Sequence, residues 1–566
     1  MLFTRSFEEL SLKQKVAFYG AFASAWLAFA PVVVVFAASA WTLLRATTTA
    51  LFVSFIAMTP FIVVMARLRW MQYRRGADLG EARARGGARD PLGARGANAK
   101  PRLCIVGCGA SGVVALRRAL DAGFDVVAYE KSSSIGGVWA YAHSSSKVFN
   151  SVLQNCSKLN NVFADCRMPE TYPFYIGWRL TMQYLQSYCE KFNLGRHVRL
   201  LTEVESVRAL EDESGFEVVA VTNASSRSSK RHIERFDFVW VCSGQLTTGY
   251  VPDVPGLDTF PGTVVHSAQY TVPSPYEGKN VLVVGIGSAS GSDIAQELSS
   301  VARSVSLVIR TERRVVGRGF VQGSATLINR FAAFCPAWIG VLWNLYFDWY
   351  RFCHDLQPAV TDSGDLLNCL LLQKIHRVDL IDHCRGQHVT FVDGHVAQFD
   401  AIIFATGYKR DYKFMPDELK PTAGLYEFCI LPQDPRVAYV LFVLPFGTHW
   451  QLSELQAMFL ARVHSGVIPL PSKEKMAELA EGVESIGHHE HLSEFYRMKY
   501  LALLAPYIFP NLKTLFHQPR LLMRLMWAPY NAPIGDWLSD SPDRTRLKDV
   551  LKHFAVRWTA YSFNKW

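Results

Sequence analysis

An α/β fold made of two Rossmann-like units, with an apolar helical hairpin ahead of them, is the architecture that this 566-residue chain predicts. Three observations carry that expectation. Two glycine-rich turns each follow a short apolar run and precede a stretch with helical spacing. Between them lies a segment reading Phe260-Pro-Gly262-Thr-Val-Val-His266-Ser-Ala-Gln-Tyr270. The first 66 residues hold two uncharged stretches, 16–44 and 46–66, parted only by Arg45.

The first turn is the more complete unit. Leu103-Cys-Ile-Val106 reads as a buried strand, Gly107-Cys108-Gly109-Ala110-Ser111-Gly112 follows directly, and Val113 to Leu120 carries apolar residues at helical spacing. Gly107 permits the tight turn, Gly109 lets backbone approach a pyrophosphate, and Gly112 lets the helix pack closely on the strand. Phosphates are favoured there by the free N–H groups and dipole of the helix N-terminus. A second strand, Asp125–Tyr129, ends at Glu130. An acid at that place accepts hydrogen bonds from a ribose diol and repels a 2′-phosphate, so the unit reads as a site for FAD or NAD and not for NADP.

In the second unit, strand Val281–Val284 leads into Gly285-Ile-Gly287-Ser288-Ala-Ser290-Gly291, and a helix begins at about Ser292. The next strand, Val305–Ile309, ends at Arg310, with Arg313 and Arg314 close behind. Arginine in place of the acid reverses the preference, because a guanidinium pairs with the 2′-phosphate of NADPH. A solvated surface cluster is the alternative for these arginines. Two dinucleotides held by one chain imply electrons passing from one to the other.

Each apolar stretch at the N-terminus is long enough to cross a bilayer, which takes about 20 residues. They are expected to form two antiparallel membrane spans, with a single long bent segment as the alternative. Nine Lys or Arg against Asp78, Glu81 and Asp90 fill residues 67–100, and Arg5, Lys13 and Lys15 precede the first span. The positive-inside rule then puts both ends in the cytosol. That basic linker, lying near anionic headgroups, explains much of the net charge of +10, and no aromatic-interleaved basic repeat supports nucleic-acid binding. Eleven scattered cysteines without a Cys-x-x-Cys pair suit a reducing compartment and argue against a disulfide reductase. His488-His489-Glu490-His491 lacks the spacing of a metal site on one helix face, so no metal is expected. Two further apolar stretches, 331–347 and 500–530, are expected to rest on the membrane surface or roof a substrate channel, with core packing as the alternative. A crossing at 331–347 would split one catalytic unit across the membrane and is not expected.

The landmarks together resemble the flavin-containing monooxygenases that oxygenate nitrogen and sulfur. In order they are the first glycine turn, Glu130-Lys131, Gly136-Gly137-x-Trp139, Asn155-Cys-Ser-Lys158, the Phe260–Tyr270 segment, the second glycine turn, Phe404-Ala-Thr406-Gly407-Tyr408 and Glu454-Leu-Gln456-Ala. They span residues 101–470. Two departures stand out. The second glycine turn has one residue more between Gly285 and Asp293 than the family pattern, which leaves the register of Gly287 and Gly291 open. Cys156 also replaces the threonine usual after the asparagine.

The resemblance implies FAD and NADPH as cofactors, O2 as co-substrate, and a small nucleophilic substrate. Hydride passes from NADPH to FAD, reduced flavin adds O2 as a hydroperoxide, and the distal oxygen goes to the nucleophile. Candidate cofactor residues are Gly107, Gly109, Ala110, Ser111, Gly112, Glu130, Lys131, Gly137, Trp139, Asn155, Gly285, Gly287, Ser288, Ser290, Gly291, Arg310, Thr406, Gly407 and Gln456. Asn155 is the catalytic candidate, holding NADP+ and the oxygenated flavin. His266 and Tyr270 are expected to fix geometry between units and not to act as acid or base. A ketone-inserting Baeyer–Villiger oxygenase, an oxidase that releases peroxide and a non-catalytic homologue stay open.

The expected organisation is a membrane anchor (1–66), a basic linker (67–100) and a FAD unit assembled from 101–275 and 396–470. The FAD unit is interrupted by an NADPH unit (276–395) with an apolar insertion at 320–365. A membrane-associated extension (471–566) follows. Endoplasmic reticulum, with the catalytic part facing the cytosol, is the location that the resemblance implies.

Overall fold

Runs of four apolar residues without alternation become strands buried on both faces. β1 (Arg102–Val106) sends Leu103 and Ile105 to one side and Cys104 and Val106 to the other, as a period of two requires. The computed structural model describes residues 100–480 apart from 142–145, 156–157, 159–160, 164, 174, 224–228, 287–289, 311–313, 318–359, 364–365, 422–423 and 443–448.

β1 is the centre of a five-stranded parallel sheet. Its neighbours are β2 (Asp125–Tyr129) and then β3 (Val198–Arg199) on one side, and β7 (Phe238–Val241) and then β20 (Val437–Tyr439) on the other. Helices α1 (Ala110–Asp121), α2 (Trp178–Lys191) and α5 (His449–His464) bury one face. An antiparallel meander of β4 (Thr202–Ala209), β5 (Phe216–Thr222) and β6 (Lys230–Phe236) covers the other. α1 forms because Val113, Val114, Leu116 and Ala119 recur on one buried side. It stops at Gly123, whose φ of +88° suits the C-terminal turn, where Phe124 donates its N–H back to Ala119 O at 3.2 Å.

A second five-stranded parallel sheet repeats this plan. β10 (Asn280–Val284) is central, flanked by β11 (Ser304–Val308) and β14 (His376–Val378) on one side and by β18 (Ala401–Phe404) and β9 (Thr263–His266) on the other. Helices α3 (Ser290–Leu298) and α4 (Leu366–Leu371) pack on one face. A meander of β15 (Ile381–Arg385), β16 (His388–Phe391) and β17 (Val396–Gln398) packs on the other. The two units thus match strand for strand, except that the outermost strand is downstream in the first (β20) and upstream in the second (β9).

Smaller elements complete the described chain. β8 (Thr248–Gly249) pairs antiparallel with β19 (Tyr408–Lys409), β12 (Arg314–Gly317) pairs parallel with β13 (Val360–Ser363), and α6 (Lys473–Ala480) is the last helix.

β9 and β18 pair inside the second sheet, although the sequence boundaries at 275 and 396 put their residues in the first unit. Both are short apolar runs, and only pairing partners distant in sequence decide which sheet takes them. Among the described residues, no helix is long and apolar enough to cross a membrane. The expected hairpin 1–66, nearly all of the linker, the stretches 331–347 and 500–530, Gly287, Ser288, Arg313 and the His488–His491 cluster lie outside the described residues.

Candidate functional site

The first glycine turn is a cradle made by the absence of side chains. A Cβ on Gly112 would lie 1.9 Å from Gly107 O, and one on Gly107 would lie 2.8 Å from Cys242 O. Neither position admits another residue without moving backbone. Gly107, at φ +96°, donates its N–H to Tyr129 O at 2.8 Å, which pins the turn to the end of β2. Gly109 caps α1 with no side chain, and the first turn of that helix holds no acid, so its N–H groups suit an anion. Ala110 starts the helix, and the Ser111 hydroxyl shares a 2.7 Å hydrogen bond with Ser453 on α5. Across from the turn, Gly136 donates to Cys108 O at 2.9 Å, and a Cβ on Gly137 would come within 3.0 Å of Gly109 Cα. Trp139 packs half-buried against the core beside them.

Glu130 is buried, and its carboxylate accepts the N–H of Cys108 at 2.8 Å and of Ser132 at 2.9 Å. An ionised carboxylate offers about four lone-pair directions. Two are used here, and the rest can take ribose hydroxyls. Lys131 is exposed.

The described ends of the second turn, Gly285 and Gly291, repeat the contacts of the first. A Cβ on Gly291 would lie 1.9 Å from Gly285 O, and one on Gly285 would lie 2.8 Å from Ala405 O. Gly285, at φ +94°, donates to Val308 O at 3.0 Å. Gly291 therefore stands where Gly112 stands in the first unit, and the added residue is absorbed between Gly285 and the helix. α3 starts at Ser290, two residues earlier than its sequence pattern indicates. Ile309 occupies the place equivalent to Glu130, since Val308 matches Tyr129, and exposed Arg310 follows in the place of Lys131. The place that an acid holds in the first unit is apolar here, so nothing in it would repel a 2′-phosphate, and Arg310 is a cation that could pair with one. Both cradles fit the groups expected of them, pyrophosphate-bearing dinucleotides of FAD and NADPH type.

The Phe260–Tyr270 segment belongs to the second unit, as β9 and the turn that follows it. Ala268 donates its N–H to His266 Nδ1 at 3.1 Å, so the ring proton sits on Nε2, which donates to Gly407 O at 2.9 Å. Burial lowers the pKa of His266 below the usual histidine value and keeps the ring neutral. With both nitrogens engaged, this histidine holds the end of β9 to the end of β18, within the second unit. Gly407 also accepts from Tyr250 N at 2.9 Å, and the Thr406 hydroxyl donates to Tyr250 O. Tyr270 is buried and donates its hydroxyl to Glu297 on α3 at 2.7 Å.

Asn155 is half-buried in a bend. Its neighbour Gln154 is held on every side: its N–H donates to Ile176 O, its carboxamide nitrogen to Thr181 Oγ1, and its oxygen accepts from Asn161. Lys158, which closes the same motif, donates from Nζ to the carbonyls of Pro169, Glu170 and Tyr172. It clamps the loop at 169–172.

Gln456 is fully buried on α5. Its oxygen accepts the N–H of Leu441 at 2.7 Å and its nitrogen donates to Phe428 O at 3.4 Å. Those backbone ties give it a role in chain packing. The sequence motif includes the neighbouring Glu454 without assigning it a role; it forms a buried ion pair with Arg118 on α1. Asp165 lies 3.4 Å from the same guanidinium. Burial opposes the charge of Arg118, yet Glu454, then Tyr188 and Asp165, hold its pKa above the usual arginine value. Arg118–Glu454 and Ser111–Ser453 thus fasten α5 along the helix that carries the first cradle.

Residues 100–534 match the family described as flavin-binding monooxygenase-like. The chain is 29% identical over 483 residues to flavin-containing monooxygenase 5 of Cavia porcellus, covering 76% of this chain and 87% of that protein. It is equally similar, over 472 residues and with the same coverage, to dimethylaniline monooxygenase [N-oxide-forming] 2 of Rattus norvegicus. Among solved structures, S-allyl-L-cysteine S-oxygenase from Allium sativum is similar with a TM-score of 0.56 at 20% identity, covering 81% of this chain and 99% of that one. An open crystal structure of cyclohexanone monooxygenase is similar with a TM-score of 0.54 at 18% identity, covering 72% and 98%. At these identities the solved structures bear on the fold alone.

Proposed function

The chain belongs to the flavin-binding monooxygenase-like family, and from that membership we propose that it transfers one oxygen atom from O2 to a nucleophilic nitrogen or sulfur of a small molecule. It is an NADPH- and O2-dependent flavoprotein monooxygenase with FAD and NADPH as cofactors. The observation that carries the proposal is the pair of equivalent cradles, one ending at Gly112 with Glu130 beside it and one ending at Gly291 with Arg310 beside it.

When bound, the flavin and nicotinamide supply the electron transfer and the activation of oxygen. The chain's own residues bind and orient. The first turn of α1 takes the pyrophosphate of FAD, and Glu130 takes its ribose while holding the Cys108 N–H. The start of α3 and Arg310 take NADPH. His266 fastens the end of β9 to Gly407 at the end of β18, and Asn155, next to the anchored Gln154, would present its amide to the cofactor pair. The described site owes its work to position and exclusion of water more than to acid or base catalysis.

The choice of heteroatom over ketone rests on Tyr270. In the ketone-inserting relatives the corresponding segment ends in tryptophan; here it ends in a tyrosine whose hydroxyl is spent on Glu297. The relative from Rattus norvegicus carries N-oxide formation in its name, which agrees with this reading. The uncharged stretches 16–44 and 46–66, with the basic linker after them, support a membrane hairpin with the catalytic part in the cytosol; endoplasmic reticulum, as its membrane, rests on the family resemblance alone.

The test supplies a tertiary amine, a thioether and a cyclic ketone separately with NADPH and O2, and identifies products by mass. An N-oxide or a sulfoxide is expected. Lactone from the ketone with neither of those products overturns the heteroatom reading, and peroxide equal to NADPH consumed in all three vessels makes the protein an oxidase.

A further inference from the structure

Glu297 joins three segments that the reaction would need to keep in step. It lies half-buried on α3, the helix that leaves the second glycine turn. One carboxylate oxygen accepts the hydroxyl of Tyr270 at 2.7 Å, and the other accepts the hydroxyl of Ser151 at 2.6 Å. Tyr270 closes the segment that carries β9 and lies in the core of the second unit. Ser151 lies four residues before Asn155 on the loop that carries it. Burial, followed by the Glu297 carboxylate, raises the pKa of Tyr270, so its hydroxyl stays a donor at any working pH.

The loop is held at both ends by different units. Its leading part faces the second unit: Phe149 meets Tyr270 edge to face at 5.5 Å, Asn150 donates its N–H to Thr271 O at 2.8 Å, and Ser151 reaches Glu297. Its trailing part faces the first unit, where Leu153 bridges Gly177 and Gln154 N–H donates to Ile176 O at 2.9 Å. Asn155 follows immediately. The Glu297 carboxylate is the charged group in the leading set, and a hydrogen bond to a charged acceptor is stronger than one between neutral groups.

We propose that Glu297 is a positioning residue, a latch through which the helix of the nicotinamide cradle sets the placement of the Asn155 loop. It rests on the reading of the second cradle as the NADPH site. Binding at the N-terminus of α3 fixes that helix, the carboxylate at its far end fixes Ser151 and Tyr270, and Asn155 is thereby presented to the cofactors in one arrangement.

The experiment uses the full-length holoprotein and three single variants, Glu297→Ala, Ser151→Ala and Ser151→Thr. Hydrogen–deuterium exchange of peptides covering 146–155 is measured with and without NADP+. In the wild type, NADP+ should slow exchange there by about tenfold or more, the scale expected when one charge-assisted hydrogen bond is made firm. That protection should vanish in Glu297→Ala and Ser151→Ala and return in Ser151→Thr, which restores a hydroxyl. Peroxide released per NADPH consumed should rise about two- to tenfold in the two alanine variants and fall back in the threonine variant, with bound FAD unchanged. Ser151 is exposed, so its variants decide the matter even if Glu297→Ala fails to fold. Absence of NADP+ protection in the wild type, or its persistence in Ser151→Ala, overturns the latch. Intact protection that responds to the variants in a protein that oxygenates nothing leaves the latch standing and removes the proposed function.

Discussion

Gly291→Ala should cost this protein its nicotinamide site while leaving the flavin site intact. The added Cβ would sit 1.9 Å from Gly285 O and 3.0 Å from Ala405 Cβ, so it meets backbone on one side and the end of β18 on the other. Relief requires α3 to move off the sheet by about an ångström, because carbon and oxygen that are not bonded attract only near 3.5 Å and repel steeply inside that. Overpacking of this kind costs about 1–3 kcal/mol. Carried into binding, that is a loss of roughly five- to more than a hundredfold in affinity. The assay is the KM for NADPH, measured beside the FAD content of the purified protein. Gly112→Ala, with the same 1.9 Å clash in the other cradle, should instead yield colourless protein, and Gly195→Ala, where a Cβ meets nothing within 4 Å, should change neither. Wild-type KM and melting temperature in Gly291→Ala would refute the equivalence of the two cradles.

Other perturbations act on single interactions. Glu454→Ala leaves the buried Arg118 guanidinium with only its longer contacts to Asp121 and Asp165 and should lower stability by about 1–3 kcal/mol, read from denaturant unfolding; an unchanged stability would contradict the pairing. Arg310→Ala should narrow the preference for NADPH over NADH about tenfold or more, mainly through KM, since a hydrogen bond to a charged group contributes about 1.5–3 kcal/mol; equal use of both cofactors by the wild type would show that Arg310 is no phosphate ligand. His464 is buried, accepts from Trp240 Nε1 at 2.9 Å and donates from Nε2 to Pro435 O at 2.8 Å. Burial pushes its pKa down to about 4, against 6.5 ordinarily. The unfolded chain therefore takes up the proton first, so this contribution is fully present above pH 6.5 and is lost as pH falls towards 4. Its size is about 3 kcal/mol. His464→Gln, which can keep both hydrogen bonds, should flatten the stability profile across that window, and an unchanged profile would contradict the assignment.

What the sequence made legible is what the backbone decides locally. Gly107, Gly109, Gly112 and Glu130 form one continuous strand–turn–helix–strand unit, and each lies where its spacing requires. Gly291 was ambiguous because an inserted residue can be absorbed on either side of Gly287, and only the contact with Gly285 O settles it. The allocation of β9 and β18 was hidden because an apolar run carries no mark of which parallel sheet will receive it. Arg118 and Glu454 are 336 residues apart, and their pairing appears in no local pattern. A trace of it was present, however: Arg118 interrupts the buried side of α1 between Ala115 and Ala119, and a charge in that position needs a partner. Gln456 shows the opposite case, a residue in a recognisable motif whose carboxamide is occupied by the backbone of its own chain.

The account stands most directly on electron transfer between the two cradles. Purified protein, which should be yellow, is mixed with NADPH in the absence of oxygen while the flavin absorbance is followed in time. The account predicts bleaching that is faster with NADPH than with NADH and that reverses when oxygen is admitted. Protein that cannot take up FAD, or bound flavin that stays oxidised under excess NADPH, would contradict it.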